Sequence, residues 1–187
     1  SNIPGYNFSI KDKEGHSINI AISQVGGHII SMNSDRNVDE EKISQEEANE
    51  IGKNFLNEKG FTNMKETYFL KQNGIVTVNY AYMQDEVIMY PDLIKVKIAL
   101  DNGEILGIET TGYLNTHQER DVSNIKISKE TAKQKLNKNL EIKSEGLAVI
   151  PTEWQTEILC YEFKGTIEDI DFIPEGVEII EAEMCAD

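Results

Sequence analysis

Histidine and cysteine, the side chains that most often serve as bases, nucleophiles and zinc ligands, are few in this chain. It contains three histidines, His16, His28 and His117, and two cysteines, Cys160 and Cys185. None of the histidines is followed two or four residues later by another histidine or by a cysteine, and neither cysteine has a partner at the spacing of a metal site. A hydrolase would need a nucleophile with its base, a pair of carboxylates in a shaped pocket, or a metal. The sequence therefore predicts no catalytic residue, no metal site and no cofactor.

His117 and Arg120 form the polar pair of greatest interest, because Arg36 holds the place of Arg120 in a matching stretch 84 residues earlier. An arginine in these places can bind a carboxylate of a partner protein, so Arg36, His117 and Arg120 are candidates for partner binding. The alternative is structural: each arginine ties the connection between two repeats to a helix carboxylate or to backbone carbonyl groups. The sequence favours the structural alternative.

The acidic clusters are explained by local structure. Glu46 and Glu47 follow Ser44 at the start of a predicted helix, where the positive end of the helix dipole stabilises negative charge. Residues 39–41 are all acidic, and they lie in a polar stretch without periodicity that indicates a solvated linker. Residues 101–103 read Asp-Asn-Gly, which could begin a calcium loop, but further ligands at alternate positions are missing. A turn is the better interpretation.

The two cysteines do not indicate a function. Cys160 lies in an apolar run, residues 158–161, and is predicted to be a buried strand residue. Cys185 lies near the end of the chain. Nothing in the sequence shows that their strands face each other, so whether the two cysteines pair in a disulfide stays open.

The composition excludes two classes of partner. The 187 residues include 33 acidic and 18 basic side chains, for a formal net charge of −15. A chain this acidic is repelled by phosphate groups, and no cluster of lysine or arginine interrupts the trend. Nucleic acid and anionic membrane surfaces are therefore not expected as partners, and solubility explains the charge more simply than cation binding does. No apolar run approaches the roughly 18 residues typical of a membrane-spanning helix.

Two predicted helix starts align without a gap. Residues 43–48 read Ile-Ser-Gln-Glu-Glu-Ala and residues 127–132 read Ile-Ser-Lys-Glu-Thr-Ala, and each stretch begins seven residues after an arginine. Ser44 and Ser128 can accept hydrogen bonds from the unpaired N–H groups of a first helical turn. Glu47 completes a capping box with Ser44. Both stretches are therefore predicted to open a helix.

The apolar periodicity predicts where these helices end and what lies between them. The first helix is expected over residues 45–59, with Gly60 as its C-terminal cap, and the second over residues 129–140. Between the helices, the dipeptide at residues 73–74 is Asn-Gly and separates two alternating runs, which is a strong hairpin signal. Pro91 is expected to interrupt strand pairing, because it has no N–H group to donate.

A strand, a glycine-containing turn and a returning strand recur three times, at residues 17–33, 94–109 and 170–183. Residues 6–12 alternate between apolar and polar and indicate a half-exposed strand ahead of the first copy. The repetition predicts an α+β fold of tandem repeats, each with one helix packed on an antiparallel β-sheet of about four strands. The expected domains are a partial repeat of strands only at 1–36, a complete repeat at 37–123, and a second repeat with an irregular end at 124–187.

The motif order of the complete repeat resembles the PepSY domain. It has Ile-Ser-x-Glu-x-Ala at residues 43–48, a helix, a hairpin, and then a strand followed by Asp-x-Gly-x-Ile at residues 101–105. Over nearly the whole chain, longer phrases are similar to the C-terminal region of the YpeB family of spore germination proteins. These phrases are Tyr90–Val96, Leu100–Gly107, Tyr113–Arg120, Gly26–His28, Ala148–Thr152 and Cys160–Phe163. The resemblance departs from the pattern after residue 172, and the first repeat lacks its helix.

The resemblance to the YpeB family implies a protein that is not an enzyme and that acts in dormant spores. Family members hold and protect a cortex-lytic enzyme, the lytic transglycosylase SleB, and restrain it until germination. The implied location is outside the cytoplasm, at the outer face of the spore inner membrane or in the cortex, with cortex peptidoglycan as a further contact. The full-length family member carries an N-terminal membrane anchor, whereas this stretch is expected to make no membrane contact of its own.

Two other classes of function stay open. One is a small-ligand-binding or hydrolytic protein with a site between repeats, and the other is a structural spacer in the cortex. In the favoured interpretation, the repeats present exposed sheet edges and grooves to a lytic enzyme, whose strand could add to an edge.

Overall fold

The computed structural model describes residues 3–152, 156–167, 179–180 and 184–185, and it is composed mainly of β-strands. The predicted α+β class is confirmed. In chain order, the described elements are β1 (Gly5–Lys11), β2 (Ser17–Ser23), β3 (Ile29–Ser34), α1 (Gln45–Glu58), β4 (Met64–Gln72), β5 (Ile75–Gln84), β6 (Val87–Ala99), β7 (Ile105–Glu109), α2 (Thr111–Thr116), α3 (Lys129–Lys133), β8 (Leu140–Pro151), β9 (Glu157–Ile167), β10 (Ile179–Ile180) and β11 (Met184–Cys185).

The chain divides into two compact units. The first contains residues 1–82 and 91–117, and the second contains residues 83–90 and 118–187. The domain boundaries expected from the sequence were at residues 36 and 123, and this division differs from them. The strands before residue 36 share a sheet with the repeat that follows them.

The sheet of the first unit joins two of the recurring strand pairs. Its strands follow the order β1, β2, β3, β7, β6, and β6 also pairs with β5, which pairs with β4. The returning strands β3 and β7 lie side by side and antiparallel, with Met32 opposite Ile108. The partial repeat and the complete repeat therefore contribute strands to one layer.

Helix α1 forms where the capping signals predict it. Ser44 Oγ accepts a hydrogen bond from the Glu47 backbone N–H at 3.1 Å, and Glu47 Oε2 accepts one from the Ser44 backbone N–H at 2.8 Å. This capping box satisfies N–H groups that the helix itself leaves unpaired. The helix ends at Glu58, and Gly60 follows with a positive φ of 86°. The predicted start and end of this helix are confirmed.

The core of the first unit lies between α1 and one face of the sheet. The buried residues of α1 are Ala48, Gly52 and Leu56, which recur every four residues along one side of the helix. They pack on alternate residues of β5 and β6, as the period of two in a strand requires. The other buried hydrophobic residues of this core are Phe61, Met64, Val76, Val78, Tyr80, Ile94, Val96, Ile98, Leu100 and Ile108.

The hairpin predicted at residues 73–74 is confirmed, and the pairing of β6 with β7 and β8 is interrupted at Pro91 as predicted, although the strand itself continues. Asn73 and Gly74 have positive φ angles of 52° and 70°, which a tight turn between paired strands requires. Strand β6 runs through Pro91 without a break. The missing N–H group is tolerated because Pro91 lies outside the segments of β6 that pair with β7 and with β8.

The second unit is built on the long pair of strands β8 and β9. These strands are antiparallel along the whole of β8. The start of β6 pairs with β8 in parallel, so the sheet is mixed, whereas the sequence predicted antiparallel pairing throughout. One buried cluster of this unit contains Ala132, Tyr161 and Phe163.

Helix α3 is shorter than the helix predicted over residues 129–140. Ser128 caps it by accepting a hydrogen bond from the Thr131 backbone N–H at 3.2 Å, but the helix ends at Lys133. Leu140, which was expected on the apolar face of this helix, begins β8 instead. Pairing with β9 overrides the helical spacing of the apolar residues, because tertiary contacts outweigh local propensity.

The third recurring strand pair, predicted over residues 170–183, falls mostly outside the described residues. The described parts of this region are β10 and β11, and both pair antiparallel with β9. Within the described ranges, none of the helices has both the length and the apolar character needed to cross a bilayer.

Candidate functional site

His117 follows α2, a short helix that the sequence did not predict, and it bonds to a buried carboxylate. His117 Nδ1 lies 2.8 Å from Asp92 Oδ2, and Asp92, on β6, is fully buried. The second carboxylate oxygen, Asp92 Oδ1, lies 3.0 Å from the hydroxyl of Thr116. That hydroxyl is also 2.9 Å from the carbonyl oxygen of Pro91. These contacts fasten the end of α2 to the middle of β6.

Aromatic rings hold the imidazole of His117 in place. Tyr113 stacks on it, with ring centroids 4.1 Å apart and an angle of 14° between the planes. Tyr82 meets it edge to face at 4.6 Å, and Phe61 meets Tyr113 in the same way at 5.2 Å. The His117 side chain remains 34% exposed, so this cluster reaches the surface of the first unit.

An aspartate bonded to a histidine supplies two parts of a catalytic triad, but the third part is differently placed. A triad needs a hydroxyl or thiol at the imidazole nitrogen that the carboxylate leaves unbonded. The Thr116 hydroxyl instead contacts the carboxylate and a backbone carbonyl. The arrangement fits a structural tie more simply than a nucleophile with its base.

Only some of the contacts of His117 could have been predicted from the sequence. Tyr113 and His117 are four residues apart, a spacing at which two side chains can meet on a helix, and this signal was overlooked. Asp92 is 25 residues away, so no local pattern points to it.

Arg36 is tied to the turn between β6 and β7. Its Nη1 and Nη2 donate to the two carboxylate oxygens of Asp101 at 2.8 and 2.9 Å, and Nη2 also reaches Asn102 Oδ1 at 3.1 Å. Its Nε lies 2.8 Å from Glu104 Oε2 without making a hydrogen bond, so this contact is ionic. Bidentate pairing of this kind is the strong geometry for an arginine and a carboxylate. The turn predicted at residues 101–103 is confirmed.

The ion pair of Arg36 with Asp101 should make the first unit less stable as the pH falls. The hydrogen bonds from Arg36 hold the pKa of Asp101 below its ordinary value. The resulting stabilisation is present above the pKa of the unfolded chain, and it is lost as the pH falls through the lower pKa of the folded state. We expect Asp101→Asn to lower the melting temperature at pH 7 and to flatten its decline below about pH 4, where the unfolded-state carboxyl begins to take up a proton.

Melting curves of the unmodified chain and of Asp101→Asn across this pH range measure both effects. Glu40→Gln is a suitable control, because the Glu40 side chain is 78% exposed and its removal should leave the acid dependence almost unchanged. An Asp101→Asn variant with the same acid dependence as the unmodified chain would contradict the expectation.

Arg120 is tied to carboxylate and carbonyl groups of the second unit. Its Nε and Nη2 donate to the two carboxylate oxygens of Glu157 at 2.6 and 2.9 Å, and Nη1 donates to the Gln118 carbonyl at 3.0 Å. Its backbone N–H and C=O groups bond to the side chain of Gln84 at 3.0 and 2.6 Å. The arginine side chain is 7% exposed.

The contacts of both arginines resemble the structural alternative, with one difference. Arg120 reaches a backbone carbonyl, as that alternative describes, but the carboxylates bound by Arg36 and Arg120 belong to a turn and to a strand rather than to a helix. A role of Arg36, His117 or Arg120 in partner binding stays a prediction.

A second acid–histidine pair lies in the turn after β1. His16 Nδ1 is 2.8 Å from Asp12 Oδ2, and Asp12 Oδ1 accepts hydrogen bonds from the backbone N–H groups of Glu14 and His16. The hydrogen bond with Asp12 raises the pKa of His16. Asp12 precedes His16 by four residues, so a search for ligands after each histidine misses it. The backbone bonds show that Asp12 shapes this turn.

The described part of the chain offers little for catalysis. Among its residues, no three histidine, cysteine, aspartate or glutamate side chains lie close enough together to hold a metal ion. A groove of about 410 Å³ on one face of β1, β2 and β3 is lined mainly by polar residues, which are Asn7, Ser9, Asn19, Ser31 and Asn33. Their amide and hydroxyl groups can bind a polar ligand, but none of them is an ionised base at neutral pH.

Strand β1 forms an edge of the sheet. Among the described strands, it pairs with β2 alone. The Gln24 N–H donates to the Pro4 carbonyl at one end of this ladder, and the Asp12 N–H donates to the His16 carbonyl at the other. Because bonded positions alternate along an antiparallel pair, the even-numbered residues of β1 bond to β2. The backbone N–H and C=O groups of odd-numbered residues, such as Asn7, therefore point away from β2.

One face of β1 carries exposed apolar side chains. Tyr6 is 59% exposed, and Phe8 and Ile10 are each 49% exposed. Native sheets usually protect an edge with charges, proline or a bulge, and a row of exposed apolar residues is typical of a binding surface. We refer to Gly5–Lys11, with its outward backbone groups and this apolar row, as the β1 edge.

The chain matches known proteins over most of its length. The family model described as YpeB sporulation, PepSY1 and PepSY2 domains matches residues 1–123. A protein of Halalkalibacterium halodurans named sporulation protein YpeB is 36% identical over 148 residues, which is 79% of this chain and 33% of the relative. A Bacillus subtilis protein of the same name is 34% identical over 170 residues, or 89% of this chain and 38% of the relative. The chain thus spans between about a third and two fifths of the length of these relatives.

A solved structure shows the same fold. The Bacillus megaterium YpeB C-terminal domain matches with a TM-score of 0.84 and 30% sequence identity, over 90% of this chain and 76% of that chain. The resemblance and the fold class expected from the sequence are confirmed by these matches.

Proposed function

This chain belongs to the YpeB family of sporulation proteins, and we propose that it is a binding module for a cortex-lytic enzyme. The enzyme is a lytic transglycosylase of the SleB type, which the module binds, stabilises and restrains until germination. The place of action is outside the cytoplasm, at the outer face of the spore inner membrane or in the cortex. Support for a role without catalysis comes from the relatives, which are named as sporulation proteins and not as enzymes.

The β1 edge is the observation that carries this proposal. Its outward N–H and C=O groups recur every second residue, about 7 Å apart, and can bond to an added strand. The apolar row of Tyr6, Phe8 and Ile10 offers contacts for alternate side chains of that strand. Backbone pairing would supply affinity and the apolar row would supply specificity, which is how strand addition recognises a peptide segment.

The charge of the chain suits a partner with a basic surface. A net charge of −15 attracts a basic protein over distances longer than those of direct contact. Such attraction mainly raises the rate of association and falls with added salt, because surface charges are screened. Binding is therefore expected to weaken as the salt concentration rises.

The proposal is tested by adding proline to the β1 edge. In Asn7→Pro the outward N–H group is lost, while the bonds to β2 are made by even-numbered residues and remain. We expect the dissociation constant for the catalytic domain of a SleB-type transglycosylase to rise about tenfold or more, because a backbone bond at the contact is lost and its acceptor is left unpaired. Isothermal titration calorimetry with the purified chain measures this constant.

Asn7→Thr is the matched control, because it changes the same side chain and keeps the N–H group. It should bind as the unmodified chain does, and thermal melting should show that both variants remain folded. Equal affinity for Asn7→Pro and Asn7→Thr would exclude the β1 edge as the docking site. An unmodified chain that fails to bind the enzyme, with or without cortex peptidoglycan, would overturn the proposed function.

The alternative is a ligand-binding or hydrolytic protein, and the polar groove on β1, β2 and β3 is the feature that favours it. Peptidoglycan hydrolysis by the purified chain, persisting through repeated purification, would support this alternative. We expect none, because the residues that line the groove are amides, hydroxyls and the apolar Phe8, Ile20 and Ala21, with no histidine or carboxylate among them.

A further inference from the structure

The two cysteines of the chain occupy directly opposed positions on neighbouring strands. Strand β11 pairs antiparallel with β9, and in this register Cys185 stands opposite Cys160 and Met184 stands opposite Tyr161. The sequence has two cysteines among its 187 residues. Two cysteines placed at random in the sequence would rarely stand opposite each other in one pair of strands. The register therefore points to a covalent link between them.

The backbone register places the two cysteines within the range of a disulfide. Directly opposed residues of an antiparallel pair have Cα atoms about 4.5 or about 5.5 Å apart, depending on whether the pair is hydrogen-bonded. Disulfides join residues whose Cα atoms are about 4.4–6.8 Å apart. Opposed positions also lie on the same face of a sheet. Both kinds of antiparallel pair therefore satisfy the distance.

We propose that Cys160 and Cys185 form a cross-strand disulfide that fixes β11 on β9. Strand β11 has two residues, so few backbone hydrogen bonds hold it, and short terminal strands open readily. Strand β9 is anchored by its full-length pairing with β8, and Cys160 is 1% exposed. The bond would connect the two-residue strand β11 to a firmly held strand, and it would do so whether or not a partner is bound.

The bond forms by thiol–disulfide exchange with a small oxidised thiol such as glutathione disulfide. One cysteine thiolate attacks the reagent, forms a mixed disulfide and releases one reduced glutathione. The second cysteine thiolate attacks the protein sulfur of the mixed disulfide and releases a second glutathione. The two cysteines are oxidised to one disulfide, and the reagent is reduced to two thiols that take up the two protons.

Oxidation of the purified chain, followed by alkylation without reductant, tests the connection. We expect the oxidised chain to lose the mass of two hydrogens, to accept no alkylating reagent until it is reduced, and to give one protease fragment that links the two cysteines. The yield should not depend on protein concentration, because the bond lies within one chain. Two alkylated cysteines after oxidation, a persistent glutathione adduct or a disulfide-linked dimer would each overturn the proposal.

The effect on β11 is tested by melting and by carboxypeptidase digestion. We expect the oxidised chain to melt several degrees above the reduced chain and to lose its C-terminal residues more slowly. Cys185→Ser is the matched control, since it leaves the buried Cys160 in place, and its melting should not respond to the oxidant. A disulfide that raises neither the melting temperature nor the resistance to carboxypeptidase would overturn the proposal that it fixes β11 on β9.

Discussion

Phe163→Ala is expected to destabilise the second unit by about 3–5 kcal/mol, because it empties a fully buried aromatic site. Phe163 packs in a small cluster with Ala132 and Tyr161, and the ring centroids of the two aromatic residues are 6.4 Å apart. Partly buried Ile127, Leu136 and Leu147 also pack against this cluster. The expected loss is a large share of the stability of a typical domain.

Hydrogen exchange of β8 and β9 at increasing denaturant measures this loss within the second unit. Ile142→Ala is the control, since Ile142 lies on β8 but is 36% exposed, and its effect should stay below about 1 kcal/mol. Similar losses for the two variants would show that the cluster around Phe163 is not the core that holds this unit.

Gly52→Ala is expected to destabilise the first unit by about 1–3 kcal/mol, although alanine favours a helix over glycine by about 1 kcal/mol. A Cβ atom at Gly52 would lie 2.4 Å from Tyr80 Oη and 3.2 Å from Ile98 Cδ1. Tyr80 cannot easily move, because it is fully buried and its hydroxyl bonds to the Asn49 carbonyl at 2.9 Å. Burial raises the pKa of Tyr80, which keeps this donor protonated.

A double-mutant cycle with Tyr80→Phe identifies the cause. Tyr80→Phe alone should cost about 1–2 kcal/mol, because the Asn49 carbonyl loses a buried donor. Removing the hydroxyl also removes the nearest atom to the new methyl group, so the double variant should be at least about 1 kcal/mol more stable than the two losses added together. Denaturant unfolding gives all four free energies. Simple additivity would show that Tyr80 is not what excludes a side chain at position 52.

Structural features formed by residues close together in the chain were predicted correctly from the sequence. The capping box of Ser44 and Glu47, the glycine after α1 and the Asn-Gly turn each depend on groups that are neighbours in the chain. Their structure is therefore decided locally, by backbone conformation and by short-range hydrogen bonds.

Elements decided by distant contacts were mispredicted. Helix α2 has no side-chain cap at Thr110, and it is fastened through Thr116 and His117 to β6, which no local pattern reveals. Helix α3 is shorter than predicted because Leu140 pairs with β9 as the first residue of β8.

The candidate residues were recognised, but their surroundings were not. Arg36 and Arg120 were found through the repeat, whereas their carboxylate partners lie 65 and 37 residues away. The alternation over residues 6–12 predicted the strand that forms β1, yet it could not show that this strand would be an edge. Edge position depends on the order of strands in the sheet, which is a property of the whole first unit.

The β1 edge also offers a surface for pairing between two copies of the chain. An edge that accepts a partner strand can accept the β1 of a second molecule, paired antiparallel about a twofold axis. The net charge of −15 keeps molecules apart at low ionic strength, but at physiological salt this repulsion is screened beyond about 8 Å. On the proposed function, a partner strand docked on β1 would also occupy the edge through which two copies of the chain could pair.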